Sequence, residues 1–491
     1  MSEEVLTPIA SFRSLVESLP VFRCDASKVH ILDEPADFYR ELEKGILSAK
    51  TRIVLASLYL GEGEKRVAEA LHKALANNPD LEVTLLLDYF RGTRGSTNSV
   101  SLLAPLVEAF RGRVAFRLYH TPALGTLLQK IVPPRFNEGF GLQHMKIYIF
   151  DDDVMLSGAN LNTDYFVNRQ DRYVIFRDTR QLTDYYADLV DVVGSFSFKV
   201  SPDTVGPPQL HPPFARSDGR LDRPALKENA SRLLRAFCER WHAATAALRK
   251  DVLEAVQAET ARARNTLDTL VLPLIQVGPL GIRQEEDTLN KLLAALGSRD
   301  PGKTAPGTDL STKWTVHLSS GYLNFPKFMV ELLANSAAVF RILTSAPEAN
   351  GFFGSKGVSR HLPAAYTYLE KKLLQSVTEV GRRDTEFLIN EWKKPGWTFH
   401  GKGLWCTPPK ESDPVLTVIG SSNFGYRSAY RDVEAQAVLI TANKELRGRM
   451  KKNLDALWAH SDTVTRDDLN KPERVVHPGV AITTRVIRTM L

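Results

Sequence analysis

The chain has 491 residues, of which 24% are charged and 43% are apolar or aromatic, a composition typical of globular proteins. Its length is enough for about three domains of ordinary size. The three cysteines, Cys24, Cys238 and Cys406, are too few and too far apart for a disulfide framework or a thiolate zinc site. A disulfide-stabilised secreted scaffold and a disordered chain are therefore excluded, and the net charge of +6 mildly favours anionic partners.

The first 27 residues form an N-terminal segment that does not resemble a leader sequence. It carries Glu3 and Glu4, and it lacks both the apolar run of a signal peptide and the arginine-rich amphipathic pattern of a transit peptide. Farther along, no run reaches the roughly 18 to 20 apolar residues that a membrane span requires. The longest uncharged stretch, 269–282, is interrupted by Pro273 and Pro279. We expect a targeting segment to be absent or already removed, and no segment to cross a membrane.

An internal repeat divides the chain into two halves. Residues 51–60 match residues 314–323 at an offset of 263, and two shifts that cancel each other restore this offset farther along the chain. Each half alternates short β-branched runs with amphipathic stretches, which predicts a βα pattern. The sequence therefore predicts an α/β protein with lobes at 28–200 and 310–491. A Pro-rich linker and a helical insertion, 201–309, lie between them.

Each half contains an HxK motif at an equivalent place, HMK at 144–146 and HGK at 400–402. Alternate residues of a strand face the same side, so the histidine and lysine of each motif lie together. A second strand follows each motif and ends in a small turn with an asparagine. An imidazole, an ammonium group and an amide therefore converge in each half, from His144, Lys146 and Asn160 and from His400, Lys402 and Asn423.

This combination of side chains suits chemistry on a phosphodiester. Lysine and asparagine can hold the non-bridging oxygens while a neutral imidazole attacks phosphorus, and this chemistry requires no metal. A carboxylate on the other ring nitrogen would keep the imidazole in one tautomer. Asp171 and Glu434, each eleven residues beyond the asparagine of its half, are the candidates for that role.

The segments HMKIYIFD (144–151) with SGAN (157–160), and HGK with GSSNFGYRS (420–428), resemble the two HKD motifs of the phospholipase D superfamily. The first keeps the form HxKxxxxD through Asp151, which we place with the candidate catalytic residues. The second has Thr407 where the family has an aspartate, a position that is mostly structural. The resemblance implies two αβα lobes related by a pseudo-twofold axis and sharing one active site, with His144 as nucleophile and His400 as the acid–base group.

Four further segments resemble the mitochondrial-type phosphatidylglycerophosphate synthases, namely 85–95, 141–162, 165–173 and 272–284. This resemblance implies transfer of a phosphatidyl group from CDP-diacylglycerol to sn-glycerol 3-phosphate, the first committed step toward phosphatidylglycerol and cardiolipin. It implies no cofactor for the chemistry and leaves open a divalent cation on the CDP diphosphate. The expected setting is peripheral, at the anionic surface of the mitochondrial inner membrane on the matrix side, without a nucleic-acid partner. The oligomeric state stays open.

Cations and hydroxyls beside the motifs are candidate substrate contacts, because arginine is suited to bidentate phosphate binding. They are Arg91, Arg94, Arg135, Arg169, Arg172 and Arg427, with Ser421, Ser422 and Ser428. Arg135 could instead pair with Glu138, and we expect Tyr59 and Tyr322 to pack rather than to line the site. Two apolar stretches, 121–135 and 272–282, are candidates for membrane contact.

Three other functions remain open at this stage. With the same chemistry the acceptor could be serine, as in a phosphatidylserine synthase, or water, as in a phospholipase. A nuclease of the same superfamily is a different class, and the lack of a basic stripe with interleaved aromatic residues disfavours it. Complete histidine, lysine and asparagine sets in both halves disfavour an inactive membrane-binding relic.

Overall fold

The structure is a computed structural model that describes residues 7–124, 137–202, 207–258, 268–299 and 309–491. Its strands are β1 Phe22–Arg23, β2 Val29–Leu32, β3 Arg52–Ala56, β4 Glu82–Asp88, β5 Val114–Tyr119, β6 Ile147–Phe150, β7 Asp153–Ser157, β8 Arg169–Gln170, β9 Tyr173–Phe176, β10 Phe198–Ser201, β11 Gln209–His211, β12 Thr269–Val277, β13 Ile282–Arg283, β14 Thr315–Ser319, β15 Val339–Ser345, β16 Phe387–Trp392, β17 Thr398–Phe399, β18 Gly403–Thr407, β19 Leu416–Gly420, β20 Val433–Thr441 and β21 Ser461–Val464.

The helices cover the faces and edges of the sheets that these strands form. They are α1 Thr7–Ser11, α2 Arg13–Ser18, α3 Pro35–Ser48, α4 Lys65–Asn77, α5 Tyr89–Gly92, α6 Ser99–Ala109, α7 Thr163–Val167, α8 Arg180–Ser195, α9 Arg223–Ala244, α10 Ala246–Ala258, α11 Gln284–Ala295, α12 Lys327–Asn335, α13 Leu362–Glu379, α14 Tyr426–Tyr430, α15 Lys444–Trp458, α16 Arg466–Leu469 and α17 Pro478–Ile487.

The two large sheets share the order of eight strands, whereas β11 of the first and β1 and β13 of the second have no counterpart. The first has the order β11-β10-β5-β4-β3-β6-β7-β9-β2, and the second has the order β1-β12-β20-β19-β18-β14-β15-β16-β21 with β13 beside β12. In both, three parallel strands, β3–β5 and β14–β16, adjoin an antiparallel set. The predicted α/β fold of two related lobes is thereby confirmed.

The second lobe begins before residue 310. Strand β12 and helix α11 precede β14 as β2 and α3 precede β3, and β12 pairs with β20 along its whole length. The N-terminal segment also belongs to this lobe, because β1 pairs with β12 and side chains of α1 and α2 enter the lobe's core. The stretch 201–309 therefore contributes a strand and a helix to the second lobe, in addition to its linker and insertion.

The prediction that residues 272–282 contact the membrane is wrong for the part of this stretch that lies in strand β12. All nine of its residues are buried. Leu272 and Leu274 face the core of the second lobe, whereas Val271 and Ile275 face a cluster that joins the two lobes. An uninterrupted apolar run is what a strand buried on both faces requires. Residues 269–277 are therefore core, and the other candidate, 121–135, lies almost entirely outside the described residues.

Two features join the lobes around the site. The cluster just described combines Ile147 and Leu156 of the first sheet with Ile419 and Ala437 of the second. In addition, β8 and β17 form a short parallel pair, so the residues that follow them, Asp171 and His400, are brought together. Helix α9 of the insertion packs on α8 and α10 packs on α2.

Candidate active site

A cavity of about 260 Å³ lies between the lobes and brings the two motifs together. His144 precedes β6 and His400 lies between β17 and β18, while Asn160 and Asn423 follow β7 and β19. All four side chains line the cavity. The Oδ1 atoms of both asparagines have no hydrogen-bond partner among the described residues, so two buried amide oxygens are free to accept hydrogen bonds from a ligand.

Each histidine is held by a carboxylate from the other lobe. The Nδ1 atom of His144 lies 3.0 Å from both carboxylate oxygens of Glu434, and Nδ1 of His400 lies 2.6 Å from Oδ2 of Asp171. Main-chain bonds fix the same pairing, from His144 N to Val433 O at 2.9 Å and from His400 N to Gln170 O at 2.8 Å. Because Nδ1 is engaged in each ring, Nε2 is the atom turned toward the cavity.

The two imidazoles are set up to be neutral. Burial lowers the pKa of His144, although Glu434 opposes this effect. Burial and the nearby Lys402 hold the pKa of His400 well below its usual value. Burial acts to raise the pKa of Glu434, but His144 and Lys146 outweigh it and bring this pKa to about 2. Burial raises the pKa of Asp171 to about 6, against the influence of Lys402.

The two motif lysines, Lys146 and Lys402, are almost fully buried next to the histidines and do not line the cavity. Lys146 Nζ donates to the carbonyl of His144 at 2.7 Å, and Lys402 Nζ lies 2.9 Å from Nδ1 of His400. Burial lowers the pKa of both ammonium groups. Gly158 of the SGAN turn makes room for this arrangement, since a Cβ atom there would lie 2.5 Å from Oδ1 of Asp171 and 2.9 Å from Lys402 Nζ.

The serines of the second motif support Glu434. Ser421 donates to Oε2 of Glu434, and Ser428 donates to Oε1 at 2.7 Å. Ser422 Oγ accepts the Phe424 amide at 2.9 Å. Of these three, Ser428 lines the cavity. The predicted substrate contacts Ser421 and Ser422 are thus positioning and turn-forming residues, because their hydroxyls are engaged within the protein.

Three of the predicted arginines line the cavity, Arg91, Arg169 and Arg427. Each is held by neighbours. Arg427 Nη2 donates to Asp432 Oδ1 at 3.0 Å and to the Glu138 carbonyl at 2.9 Å. Arg169 Nε donates to Thr398 Oγ1 at 3.0 Å. Arg91 Nη1 lies 3.4 Å from Oε2 of Glu138. Glu138 and Asp432 line the cavity as well, so it presents three guanidinium groups to an anionic ligand beside two acidic residues that hold them.

The other arginines lie elsewhere. Arg94 is exposed and pairs with Glu138 at 2.9 Å, outside the residues that line the cavity. Arg135 lies outside the described residues. Arg172 is buried, and it donates to Val418 O at 2.9 Å and to Thr417 Oγ1 at 3.0 Å while stacking on Trp405. The prediction that Arg172 contacts substrate is corrected, because this guanidinium joins the lobes.

Arg172→Met is expected to lower the free energy of unfolding by about 2–4 kcal/mol, because it leaves buried hydrogen-bond acceptors unpaired. Thermal denaturation measures this loss. Arg94→Met, which removes a partly exposed guanidinium, is the matched control and should have little effect on unfolding. A raised KM for Arg172→Met at unchanged stability would contradict the structural role.

Asp151 is also structural, contrary to its place among the predicted catalytic residues. Its carboxylate accepts the main-chain amides of Lys50, Thr51 and Arg52 at 2.8–3.1 Å. It follows β6, whereas His144 precedes this strand, so the two residues lie at opposite ends of the strand. Asp151 therefore fixes the start of β3 and does not reach the cavity.

Aromatic residues of the site escaped the sequence prediction. Tyr59, Tyr165, Tyr322 and Tyr366 line the cavity, so the expectation that Tyr59 and Tyr322 only pack was wrong. Tyr165 Oη lies 3.5 Å from Nε2 of His400 and accepts the Asn160 amide at 3.2 Å. The equivalence of Tyr59 and Tyr322 in the repeat was a signal for both. Tyr165 aligns with Ser428 at the offset of 263 residues, and this equivalence indicated that both residues lie at the site.

Among the described residues, no group of three or more histidine, cysteine, aspartate or glutamate side chains is arranged to hold a metal ion. In the same ranges, no helix combines the length and the apolar character that crossing a membrane requires.

The two lobes, with histidine, lysine and asparagine from each meeting at one cavity, define a protein of the phospholipase D class. The fold is similar to that of phosphatidylserine synthase from Haemophilus influenzae Rd KW20, with a TM-score of 0.67 and 18% identity, covering 99% of this chain and 100% of that one. No protein-family model matches the chain.

Relatives with higher identity specify the family. The mitochondrial CDP-diacylglycerol–glycerol-3-phosphate 3-phosphatidyltransferase of Mus musculus is 38% identical over 97% of this chain and 86% of its own length. The CDP-diacylglycerol–glycerol-3-phosphate 3-phosphatidyltransferase of Saccharomyces cerevisiae is 38% identical over 97% of this chain and 90% of its own length. The chain belongs to this family of transferases.

Proposed function

We propose that the protein transfers a phosphatidyl group from CDP-diacylglycerol to sn-glycerol 3-phosphate through a phosphatidyl-histidine, yielding phosphatidylglycerophosphate and CMP. The observation that carries this proposal is the pair of buried histidines, each bonded through Nδ1 to a carboxylate of the other lobe, at one cavity. The names of the relatives support the choice of donor and acceptor.

In the first step, Nε2 of neutral His144 attacks the phosphorus that carries diacylglycerol. The bond from this phosphorus to the bridging oxygen of the anhydride breaks, and CMP leaves with the electron pair. Glu434 accepts the Nδ1 proton of His144 in a hydrogen bond and stabilises the positive charge that develops on the ring. Lys146, Lys402 and the asparagine amides stabilise the charge on the phosphoryl oxygens.

In the second step, Nε2 of His400 removes a proton from the acceptor hydroxyl of glycerol 3-phosphate. The resulting oxygen nucleophile attacks phosphorus, and the bond to His144 breaks, which returns that imidazole to its neutral form. His400 then releases the proton to solvent. CMP is already a good leaving group, so His400 matters more as the base of this step than as the acid of the first.

Donor and acceptor both carry phosphate groups, and the cavity offers Arg91, Arg169 and Arg427 to bind them. This set of cations favours a phosphorylated acceptor over serine or water. The chemistry needs no resident cofactor, and where a divalent cation takes part, it would bind the diphosphate of CDP-diacylglycerol. Activity measured with and without a chelator tests that last point.

The donor is a two-chain lipid, so the cavity must open at a bilayer surface. Relatives of this chain are named as mitochondrial. We place the protein peripherally on the matrix side of the inner membrane, where it acts on an anionic lipid surface. Fractionation with alkaline extraction, followed by protease protection of inner-membrane vesicles, tests this location.

The reaction is tested by incubating the protein with detergent-solubilised CDP-diacylglycerol and glycerol 3-phosphate, serine or no acceptor. CMP release and lipid products are followed by mass spectrometry. We expect CMP and phosphatidylglycerophosphate with glycerol 3-phosphate alone, and neither product with His144→Ala. Phosphatidylserine or phosphatidic acid as the main product would contradict the proposed acceptor. Complete lack of CMP would favour a nuclease or an inactive relic.

A further inference from the structure

We infer that one face of the second lobe docks on an anionic lipid bilayer, an inference that rests on the proposed function. This docking face consists of helix α17, residues 350–358 and the groove between α12, α13 and α17. The catalytic cavity opens beside it, so docking would present the cavity to lipid in the membrane.

Exposed apolar side chains are concentrated on this face. Eight large apolar side chains are exposed among the described residues. Four of them, Phe353, Val358, Ile482 and Val486, belong to the docking face, and Val475 lies three residues before α17. These five are 60–77% exposed. In α17 the one buried residue is Thr484. Apolar residues concentrated at the surface of a helix and a nearby loop are typical of contact with a membrane or another protein.

Both segments continue into the wall of the catalytic cavity. Gly351 and Phe352 line the cavity, and the exposed Phe353 follows them directly. Leu491, shortly after α17, lines the cavity as well. Asn324, another lining residue, donates to the Leu491 carbonyl at 3.1 Å. The exposed apolar side chains are therefore connected through short stretches of chain to the place where a lipid phosphate must react.

The groove beside α17 combines apolar and cationic groups. Its volume is about 380 Å³, and its apolar lining comes from Leu323, Phe325, Val330, Leu369 and Leu373. Lys327, Lys372, Arg485 and Arg488 add four cations, and the described lining includes no aspartate or glutamate. The nearest acidic partner of this set is Glu331, 3.4 Å from Lys327 Nζ.

This chemistry selects an anionic bilayer as the occupant. Apolar side chains of α17 would enter the acyl boundary, while the lysines and arginines of the groove would contact lipid phosphates. A second copy of the chain would place the same four cations against themselves in a twofold interface. Charge complementarity therefore favours the lipid surface over self-association.

Flotation of the full chain with vesicles tests the docking face. The double variant Ile482→Glu with Val486→Glu should bind vesicles of phosphatidylcholine and phosphatidylglycerol at least about tenfold more weakly, because it replaces two apolar contacts by charges. Leu47→Glu, an exposed apolar site on α3, is the control and should bind like the wild type. Wild-type binding by the double variant, or an equal loss in the control, would overturn the inference.

The cations are tested separately. Lys327→Gln with Lys372→Gln should remove much of the preference for vesicles that contain phosphatidylglycerol and leave binding to pure phosphatidylcholine unchanged. Lys65→Gln with Lys73→Gln, two exposed lysines on α4, removes the same charge elsewhere and should keep the preference. Equal effects of the two pairs would contradict a specific role for the groove.

Two forms of the lipid substrate, CDP-diacylglycerol, distinguish a failure of this inference from a failure of the proposed function. With a water-soluble short-chain CDP-diacylglycerol, the Ile482/Val486 double variant should retain wild-type turnover, and with donor embedded in vesicles it should lose at least about tenfold. If the wild type makes no product from either donor, the proposed function fails, while flotation still tests the docking face. A variant that changes the protein from dimer to monomer in sedimentation would make this face a subunit interface and overturn the inference.

Discussion

His144→Ala is expected to lower CMP release from CDP-diacylglycerol by at least about 10⁴-fold, because it removes the nucleophile of the first step. His400→Ala should instead release about one CMP per protein and then stop, with labelled lipid retained on His144. The choice of His144 as nucleophile follows the resemblance to the phospholipase D superfamily. Around Nε2 of His400, Lys402 Nζ lies at 3.2 Å and Tyr165 Oη at 3.5 Å. A single-turnover experiment with lipid-labelled donor, followed by mass analysis of the protein, measures both outcomes.

His72→Ala is the control for these variants, since this histidine lies on the exposed side of α4, in ring contact with Phe110 and away from the cavity. It should release CMP at the wild-type rate and accumulate no adduct. Lipid trapped on His144→Ala but not on His400→Ala would reverse the roles of the two histidines. A full CMP burst without any adduct in His400→Ala would contradict the covalent intermediate.

The repeat was visible in the sequence from β3 and β14 onward because equivalent strands kept similar residues at nearly one offset. The beginning of the second lobe was not visible, for a physical reason. Strand β12 belongs to two hydrophobic clusters, one on each face, so its sequence is apolar from Leu270 to Ile275 and carries no alternation. Such a run is equally compatible with a buried strand and with a segment that lies on a membrane. The two differ only in tertiary packing, which the local sequence does not show.

Local spacing was enough to predict that histidine, lysine and asparagine converge within each half. It did not show which carboxylate serves which histidine, because His144 and Glu434 are 290 residues apart and meet only when the lobes associate. Local spacing was also insufficient to predict which arginines line the cavity. Arg169 and Arg172 occupy one short segment, yet one lines the cavity and the other stacks on Trp405 between the lobes. Side-chain direction at such positions depends on the partner lobe.

Glu434→Gln and Asp171→Asn are each expected to lower kcat by on the order of 10⁴-fold, because an amide no longer holds the imidazole in the reactive tautomer. Their pH profiles should differ. Burial raises the pKa of Asp171 to about 6, so this carboxylate takes up a proton as the pH falls through that value and no longer accepts the Nδ1 proton of His400. The kcat of the wild type should then fall about tenfold per pH unit below that point.

The pKa of Glu434 is about 2, because His144 and Lys146 outweigh the effect of burial. Glu434 therefore stays ionised over this pH range and does not contribute to the fall of kcat at acidic pH, here called the acid limb. The residual activity of Glu434→Gln should therefore keep the acid limb, and that of Asp171→Asn should lose it. Glu285→Gln is the matched control. This carboxyl is buried near Glu434, and burial raises its pKa to about 8, so the amide preserves its neutral charge at pH 7. An acid limb that persists in Asp171→Asn would show that a different group, and not the Asp171–His400 pair, controls the second step.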